Sequence, residues 1–151
     1  MEPKQRRLAA ILAADVAGYS RLMSTDEAGT LEALKAVRRE IFAPKVAEHH
    51  GRIVKLMGDG ALVEFASAVN AVACAMGVQR ALAERNARAA EGQRIDVRIG
   101  VNLGDVIIEG SDIYGDGVNI AARLQEIAEP GGVAVTANVH EHASGKVDAA
   151  F

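Results

Sequence analysis

A continuous apolar run over residues 8–14, near the start of the chain, constrains the fold more than any other stretch of the sequence. Polar residues bound it on both sides, which is the pattern of a β-strand covered on both faces, although its alanines also permit a helix. We predict a strand here, packed inside a domain built from more than one layer. The run is far too short to cross a lipid bilayer.

The size and composition of the chain favour one soluble globular domain over residues 1–151. The chain is 50% hydrophobic and 25% charged, and its net charge of -3 leaves no concentrated basic surface for DNA or RNA. Nucleic acid is therefore not an expected partner. The single cysteine, Cys74, lies in an alanine-rich stretch. We interpret it as a core residue without a disulfide, and we expect the domain to be cytoplasmic, with any membrane anchor outside these residues.

A long helix is predicted after the first strand. Ser24 can act as its N-cap with Glu27 three residues later, and apolar residues follow at helical spacing towards His49. Pro44 lies inside this segment, so the helix should kink or break there. Gly51 should end it.

Strands and helices alternate through the rest of the chain. The turn Gly58-Asp59-Gly60 predicts a hairpin, Ser67 can cap a second helix, and a glycine-rich loop precedes a third. The predicted strands cover residues 52–57, 61–65, 95–101, 106–108 and 132–136, and the two later helices cover residues 67–86 and 118–127. Residues 102–105 should turn the chain, so that the strands at 95–101 and 106–108 form a second hairpin. This order predicts an α+β fold of the ferredoxin-like kind, a mixed sheet with helices packed against it.

Two aspartates fall where a metal pair could form. Asp15 follows the first strand and Asp59 lies in the hairpin turn, and both positions project side chains from a sheet edge. Magnesium prefers carboxylate oxygens together with substrate phosphates, and two such ions can assist a phosphoryl displacement. Alternatively, Asp15 only ends a strand and Asp59 only makes a turn. The loop after Asp15 could bind an anion through backbone N–H groups; its residues are Val16, Ala17, Gly18, Tyr19 and Ser20.

A second group of polar residues surrounds the third helix. Asn119 and Arg123 are four residues apart and so share one helix face, where they offer donors to sugar and phosphate oxygens. Lys55 and Asp112 add a cation and a carboxylate suited to the acceptor and donor edges of a base. The alternative is a solvated helix face and two surface charges.

Four blocks of sequence, in order, resemble the class III adenylate and guanylate cyclase catalytic domain. They are LAADVAGYS at residues 12–20, KLMGDG at 55–60, RIGVNLG at 98–104 and DIYGDGVNIAAR at 112–123. The resemblance covers residues 7–136 and looks closest to bacterial cyclases in which the domain is joined to regulatory modules. Family domains continue with a further hairpin that is not found before Phe151. We therefore expect a piece of a longer protein that carries regulatory domains outside it.

The resemblance implies an adenylate cyclase that forms 3′,5′-cyclic AMP and pyrophosphate from ATP with two Mg²⁺ or Mn²⁺ ions. It implies that Asp15 and Asp59 bind the metals, that Lys55 and Asp112 recognise the purine, and that Asn119 and Arg123 act on the transition state. The sites are shared between two copies in a head-to-tail homodimer. Lysine with aspartate is the combination for adenine, whereas guanylate cyclases usually carry glutamate and cysteine. A guanylate cyclase and a non-catalytic nucleotide-binding regulatory module are the alternatives.

Overall fold

A computed structural model describes residues 5–90, 92–149 and 151, in which one sheet is covered by helices on both faces. The strands are β1 Gln5–Val16, β2 Arg52–Met57, β3 Gly60–Phe65, β4 Val97–Glu109, β5 Asp112–Tyr114 and β6 Val133–Val135. The α-helices are α1 Tyr19–Thr25, α2 Glu27–Val37, α3 Ala43–Glu48, α4 Ala68–Arg88, α5 Asp116–Ile127 and α6 Ala137–Ala143, and a π-helical segment, Arg38–Phe42, joins α2 to α3. The predicted α+β architecture is confirmed.

Strand β1 is the centre of the sheet, whose order is β2-β3-β1-β4-β5, with β6 parallel to β4. Alternate residues of β1 join two separate clusters of buried side chains. Leu12 lies in the cluster that α2 and α4 contribute to, and Ile11 lies in the cluster that contains Ala121 of α5. Both side chains are completely buried. The predicted strand is thus confirmed, and it is covered on both faces as the unbroken apolar pattern indicated.

The predicted hairpin between residues 95–101 and 106–108 is wrong, because both segments belong to the single strand β4. Pairing with β1 from Val97 to Ile108 keeps β4 extended through its glycines. The buried Asn102, which resembled a turn residue, donates a hydrogen bond of 3.0 Å to the carbonyl of Gly117. Long-range pairing therefore overrides the local turn signal. The actual hairpin joins β4 to β5.

The first helical region begins differently from its prediction. Ser24 lies inside α1, where its hydroxyl donates to the carbonyl of Arg21 over 2.9 Å. Asp26 is the N-cap of α2 instead, and it accepts a hydrogen bond of 3.0 Å from the N–H of Gly29. Serine and aspartate are both good N-caps. Ser24 already lies inside α1, so Asp26, the first residue after that helix, caps α2.

Pro44 neither breaks nor ends the helical region, because the π-helical segment precedes it and the chain continues as α3. Proline lacks an N–H and crowds the carbonyl four residues earlier, and a wider π turn relieves this conflict. Helix α3 ends at Glu48, and His50 takes the left-handed conformation two residues later, with a φ of 62°. Gly51 is required for another reason, since a Cβ there would lie 2.5 Å from the Phe65 ring.

Helix α4 follows its prediction closely. Ser67 caps it by accepting a hydrogen bond of 3.3 Å from the N–H of Asn70, and its small and apolar face is buried. Cys74 is completely buried on this face and forms no disulfide. Burial raises the pKa of the Cys74 thiol to about 12. The short helix α6 was not predicted.

Two glycines bring α5 close to β4. A Cβ on Gly100 would lie 2.5 Å from the backbone nitrogen of Gln125, and a Cβ on Gly117 would lie 2.6 Å from the carbonyl oxygen of Asp105. Larger residues at these positions would push the helix away from the sheet. The two glycines thus set how closely α5 packs on β4, and so fix the position of its exposed face. Across the described ranges, no helix combines the length and the apolar character needed to span a membrane.

Candidate active site

Asp15 lies near the end of β1, directly across from Arg98 of β4. Arg98 donates to both carboxylate oxygens, with Nε 3.0 Å from Oδ1 and Nη2 2.7 Å from Oδ2, and its Nη1 donates over 3.1 Å to the carbonyl of Glu126 in α5. The hydrogen bonds to Asp15 raise the pKa of Arg98. The sequence analysis gave Arg98 no role, and only the register of β1 with β4 could have identified it as the partner of Asp15.

Asp59 occupies the turn between β2 and β3, where Gly58, unlike Gly60, takes a left-handed conformation with a φ of 57°. Its Oδ2 accepts a hydrogen bond of 3.1 Å from the backbone N–H of Val16. Because Val16 follows Asp15 in the chain, this bond brings the two aspartates to neighbouring positions. Both line a pocket that Arg38 also borders.

The donor atoms of this aspartate pair fit a magnesium site. Magnesium is usually held by one or two protein carboxylates, with water and substrate phosphates completing its ligands. Oδ1 of Asp59 has no hydrogen-bond partner in the described chain, whereas Arg98 engages both oxygens of Asp15. Among the described residues, no group of three or more histidine, cysteine, aspartate or glutamate side chains could hold a metal ion. Water or phosphate oxygens would complete the ligands of such a site.

Lys55 and Asp112 meet although they belong to β2 and β5, the two edge strands in the strand order. The sheet curls so that Nζ of Lys55 lies 3.1 Å from Oδ2 of Asp112 and 5.4 Å from the centre of the Tyr114 ring. A hydrogen bond from the N–H of Ile113, followed by that from Lys55, lowers the pKa of Asp112. The hydrogen bond with the Asp112 carboxylate raises the pKa of Tyr114.

A pocket of about 280 Å³ lies beside Lys55. Its polar lining comes from Lys55, Tyr114, Asn119 and Gln125. Its apolar lining combines alanines with larger side chains, namely Ala13, Ala14, Ala61 and Ala122 with Met57, Leu62, Ile113 and Val118. A mostly apolar pocket with a small number of polar groups is typical of a small-molecule binding site.

Arg123 stands apart from both groups within one chain. It is exposed on α5, one turn after the exposed Asn119, and it does not line the pocket beside Lys55. Within the described ranges, its guanidinium has no hydrogen-bond or ion-pair partner. One copy of the chain therefore brings together the aspartate pair and, separately, Lys55, Asp112 and Asn119, and leaves Arg123 facing outwards.

The loop after Asp15 uses some of its backbone donors internally. The N–H of Val16 donates to Asp59, and that of Ala17 donates to the carbonyl of Asp96 over 2.8 Å. Gly18, with a φ of 65°, is the N-cap of α1. The N–H groups of Tyr19 and Ser20, in the first turn of α1, have no acceptor within the helix. With the N–H of Gly18, which has no acceptor in the described chain, they are the backbone donors of this loop that a phosphate group could use.

The sequence matches a family model described as the adenylate and guanylate cyclase catalytic domain over residues 1–150. A Rhizobium meliloti protein named provisionally as adenylate cyclase 3 is 53% identical over 150 residues, which are 99% of this chain and 26% of that protein. An adenylate cyclase of Streptomyces coelicolor is 31% identical over 134 residues, 89% of this chain and 33% of that protein. The chain thus spans a quarter to a third of the length of these relatives.

Solved structures agree with this match. A crystal structure of an adenylate/guanylate cyclase/hydrolase from Silicibacter pomeroyi superposes with a TM-score of 0.91 and 46% identity, over 99% of this chain and 87% of that chain. The guanylyl cyclase Cya2 gives a TM-score of 0.86 and 26% identity, over 99% of this chain and 85% of that chain. Together with the family match over residues 1–150, these similarities show that the chain belongs to the adenylate and guanylate cyclase catalytic domain family.

Proposed function

We propose that residues 1–151 act as one catalytic domain of an adenylate cyclase, which converts ATP to 3′,5′-cyclic AMP and pyrophosphate. The observation that carries the proposal is the contact between Lys55 and Asp112 across the curled sheet, beside a pocket with an apolar floor. A lysine donor and a carboxylate acceptor complement a ring nitrogen and the amino group of adenine. Guanine carries a carbonyl oxygen in place of that amino group, which would face the carboxylate of Asp112 unfavourably.

The reaction joins the ribose 3′-oxygen to the α-phosphorus and breaks the bond from that phosphorus to the pyrophosphate oxygen, and the proton of the 3′-hydroxyl passes to water. Asp15 and Asp59 would hold two Mg²⁺ or Mn²⁺ ions, which supply charge neutralisation and a lowered pKa for the 3′-hydroxyl. Arg123 donates hydrogen bonds to the α-phosphate as negative charge develops there. Asn119 orients the ribose so that attack and departure are in line. Tyr19 and Ser20 offer backbone N–H groups to the triphosphate.

The sites are formed between two copies of the chain in a head-to-tail homodimer. One copy contributes Asp15 and Asp59, and its partner contributes the base pocket with Asn119 and Arg123. The exposed Arg123, without a partner in its own described chain, supports this arrangement, because a guanidinium that serves a neighbouring subunit must point outwards. Two equivalent sites follow from the twofold symmetry of such a dimer.

Cyclic AMP formation from ATP, with Mg²⁺ or Mn²⁺, tests the proposal in three samples. Asp59→Ala and Arg123→Ala are each expected to lose activity, whereas an equal mixture should regain about a quarter of wild-type activity, because half of the dimers are mixed and each has one intact site. Arg39→Ala is the matched control, since Arg39 is exposed and, among the described residues, pairs only with its neighbour Glu40 over 3.4 Å.

The same assay separates the alternatives. Cyclic GMP from GTP in place of cyclic AMP from ATP would identify a guanylate cyclase. Nucleotide binding without any product would identify a regulatory module and refute the proposed activity. Activity of a single variant in isolation would refute the catalytic role of the residue that it lacks. A mixture as inactive as the two single variants would refute the shared sites, because mixed dimers would then contain no intact site.

A further inference from the structure

The π-helical segment gives its first residue, Arg38, a particular placement. Buried side chains recur along this region, and Val37 and Phe42, five positions apart, are both buried. A regular α-helix would bring residues three or four apart to the same face, so the wider turn inserts one residue and keeps Phe42 in the core. Arg38 lies at the start of this insertion, beside the pocket of the two aspartates.

The side chain of Arg38 reaches the turn that carries Asp59. Its Nη2 donates to the carbonyl of Gly58 over 2.5 Å and to that of Gly60 over 3.3 Å. These are the carbonyls of the residues immediately before and after Asp59. The guanidinium therefore holds the backbone on both sides of this aspartate.

The turn needs such a contact because its own residues restrict it poorly. Glycine has the widest choice of backbone conformations, and glycines flank Asp59 on both sides. The other contact that holds Asp59 is the hydrogen bond of 3.1 Å from the N–H of Val16 to its carboxylate. Arg38 thus restrains the backbone of Asp59, and Val16 restrains its side chain beside Asp15.

We propose that Arg38 is a positioning residue that holds Asp59 in place for metal binding; this rests on the proposed role of Asp59 as a metal ligand. Arg38 does not touch the carboxylate of Asp59, and it acts through the two glycine carbonyls. Removal of a residue that holds a metal ligand in place, without itself touching the metal, typically weakens metal binding by about 10- to 100-fold.

Arg39 provides a matched control within the same segment. It is the same residue type, one position further along, and its described contact is an exposed pair with Glu40 over 3.4 Å. A general effect of removing positive charge from this segment would appear in Arg39→Met as well. An effect confined to Arg38→Met depends on the contacts with Gly58 and Gly60.

The first measurement is the amide hydrogen exchange rate of Val16 by NMR, which needs neither metal nor nucleotide. Arg38→Met is expected to speed this exchange about tenfold, which corresponds to about 1.4 kcal/mol, because a looser turn weakens the bond between the N–H of Val16 and Asp59. Arg39→Met should match the wild type. Equal rates in Arg38→Met and the wild type would overturn the inference. Arg38→Gln, which is too short to span both carbonyls, repeats the test if the methionine variant unfolds.

The second measurement is Mn²⁺ binding by electron paramagnetic resonance, in the presence of 3′-deoxy-ATP, which lacks the attacking hydroxyl. Binding should be about 10- to 100-fold weaker in Arg38→Met and unchanged in Arg39→Met. Asp59→Asn shows the effect of losing the ligand itself. Wild-type affinity in Arg38→Met, when Asp59→Asn is impaired, would overturn the inference. Wild-type affinity in Asp59→Asn would instead refute the metal role in the proposed function. The exchange rates of the Val16 amide would still test whether Arg38 restrains the turn.

Discussion

Strand β2 carries two ion pairs, and they differ in how far solvent reaches the carboxylate of each pair. Near its start, Glu64 of β3 accepts hydrogen bonds from Arg52, with Nε at 2.9 Å and Nη2 at 2.6 Å, and also from Arg7 of β1. Near its end, Lys55 pairs with Asp112 over 3.1 Å. The Glu64 side chain is only 9% exposed, whereas Lys55 and Asp112 are 34% and 29% exposed.

The contrast separates a structural pair from a candidate ligand-binding pair. A buried carboxylate needs its partners in the folded chain, because it has lost most of its hydration. Lys55 and Asp112 retain access to water, and Lys55 borders the pocket that Asn119 also lines, so a bound base could replace the contact between Lys55 and Asp112. We therefore expect changes at Glu64 to affect folding, and changes at Lys55 to affect nucleotide use.

The largest expected effect is on folding, from the double change Arg7→Met with Arg52→Met. It leaves the Glu64 carboxylate buried without a cation, which should lower the free energy of unfolding by about 3–5 kcal/mol. Urea denaturation followed by circular dichroism measures this loss. Adding Glu64→Gln to the double variant should recover most of the stability, and a failure to recover would show that the arginines stabilise by packing and not by charge.

The next effect is on catalysis, from Lys55→Met. Loss of one charged hydrogen bond to the base should lower kcat/KM for ATP by about 10- to 100-fold. Stability should change by less than about 1 kcal/mol, since the pair is partly exposed. Steady-state cyclic AMP assays and denaturation of the same sample measure the two quantities. Lys146→Met, at an exposed lysine after α6, is the control; a large stability loss in Lys55→Met alone would contradict the contrast between the two pairs.

A smaller effect on stability is expected from Arg52→Lys. Lysine keeps the charge but loses the planar group that donates through Nε and Nη2 to Glu64 and through Nη1 to the carbonyl of Ser111 over 2.8 Å. We expect a loss of about 1 kcal/mol in the free energy of unfolding, measured by urea denaturation. Equal stability in Arg52→Lys and the wild type would show that charge alone satisfies Glu64.

The smallest effect is a pH dependence of stability through Glu64. Burial raises the pKa of this carboxyl, but the hydrogen bonds from Arg7 and Arg52 outweigh burial and lower the pKa below its ordinary value. A carboxyl with a lowered pKa in the folded state stabilises it fully above about pH 4.3, the ordinary pKa of glutamate. This contribution is lost as the pH falls through the lowered pKa. Glu64→Gln should therefore unfold with a shallower pH dependence in acid, and an unchanged acid profile would contradict the assigned shift.

The sequence alone predicted the elements whose signals are local. The unbroken apolar run predicted β1, the glycines around Asp59 predicted the first hairpin, and Ser67 predicted the start of α4. It failed where a local signal competed with a distant partner. Asn102 and Gly104 suggested a turn, but pairing with β1 keeps β4 continuous. A single sequence does not contain the register that decides such a competition.

The candidate site divides in the same way. The four sequence blocks contain the candidates Asp15, Asp59 and Lys55 and the helix that carries Arg123, because the residues of each block are neighbours in the chain. Only the tertiary structure placed Arg98 on Asp15, since the two are 83 residues apart and meet through strand pairing. It also placed Lys55 beside Asp112, because the curl of the sheet joins its edges. The chemical groups of a local motif can be read from consecutive residues of the sequence, whereas contacts between distant residues exist only after the sheet has formed.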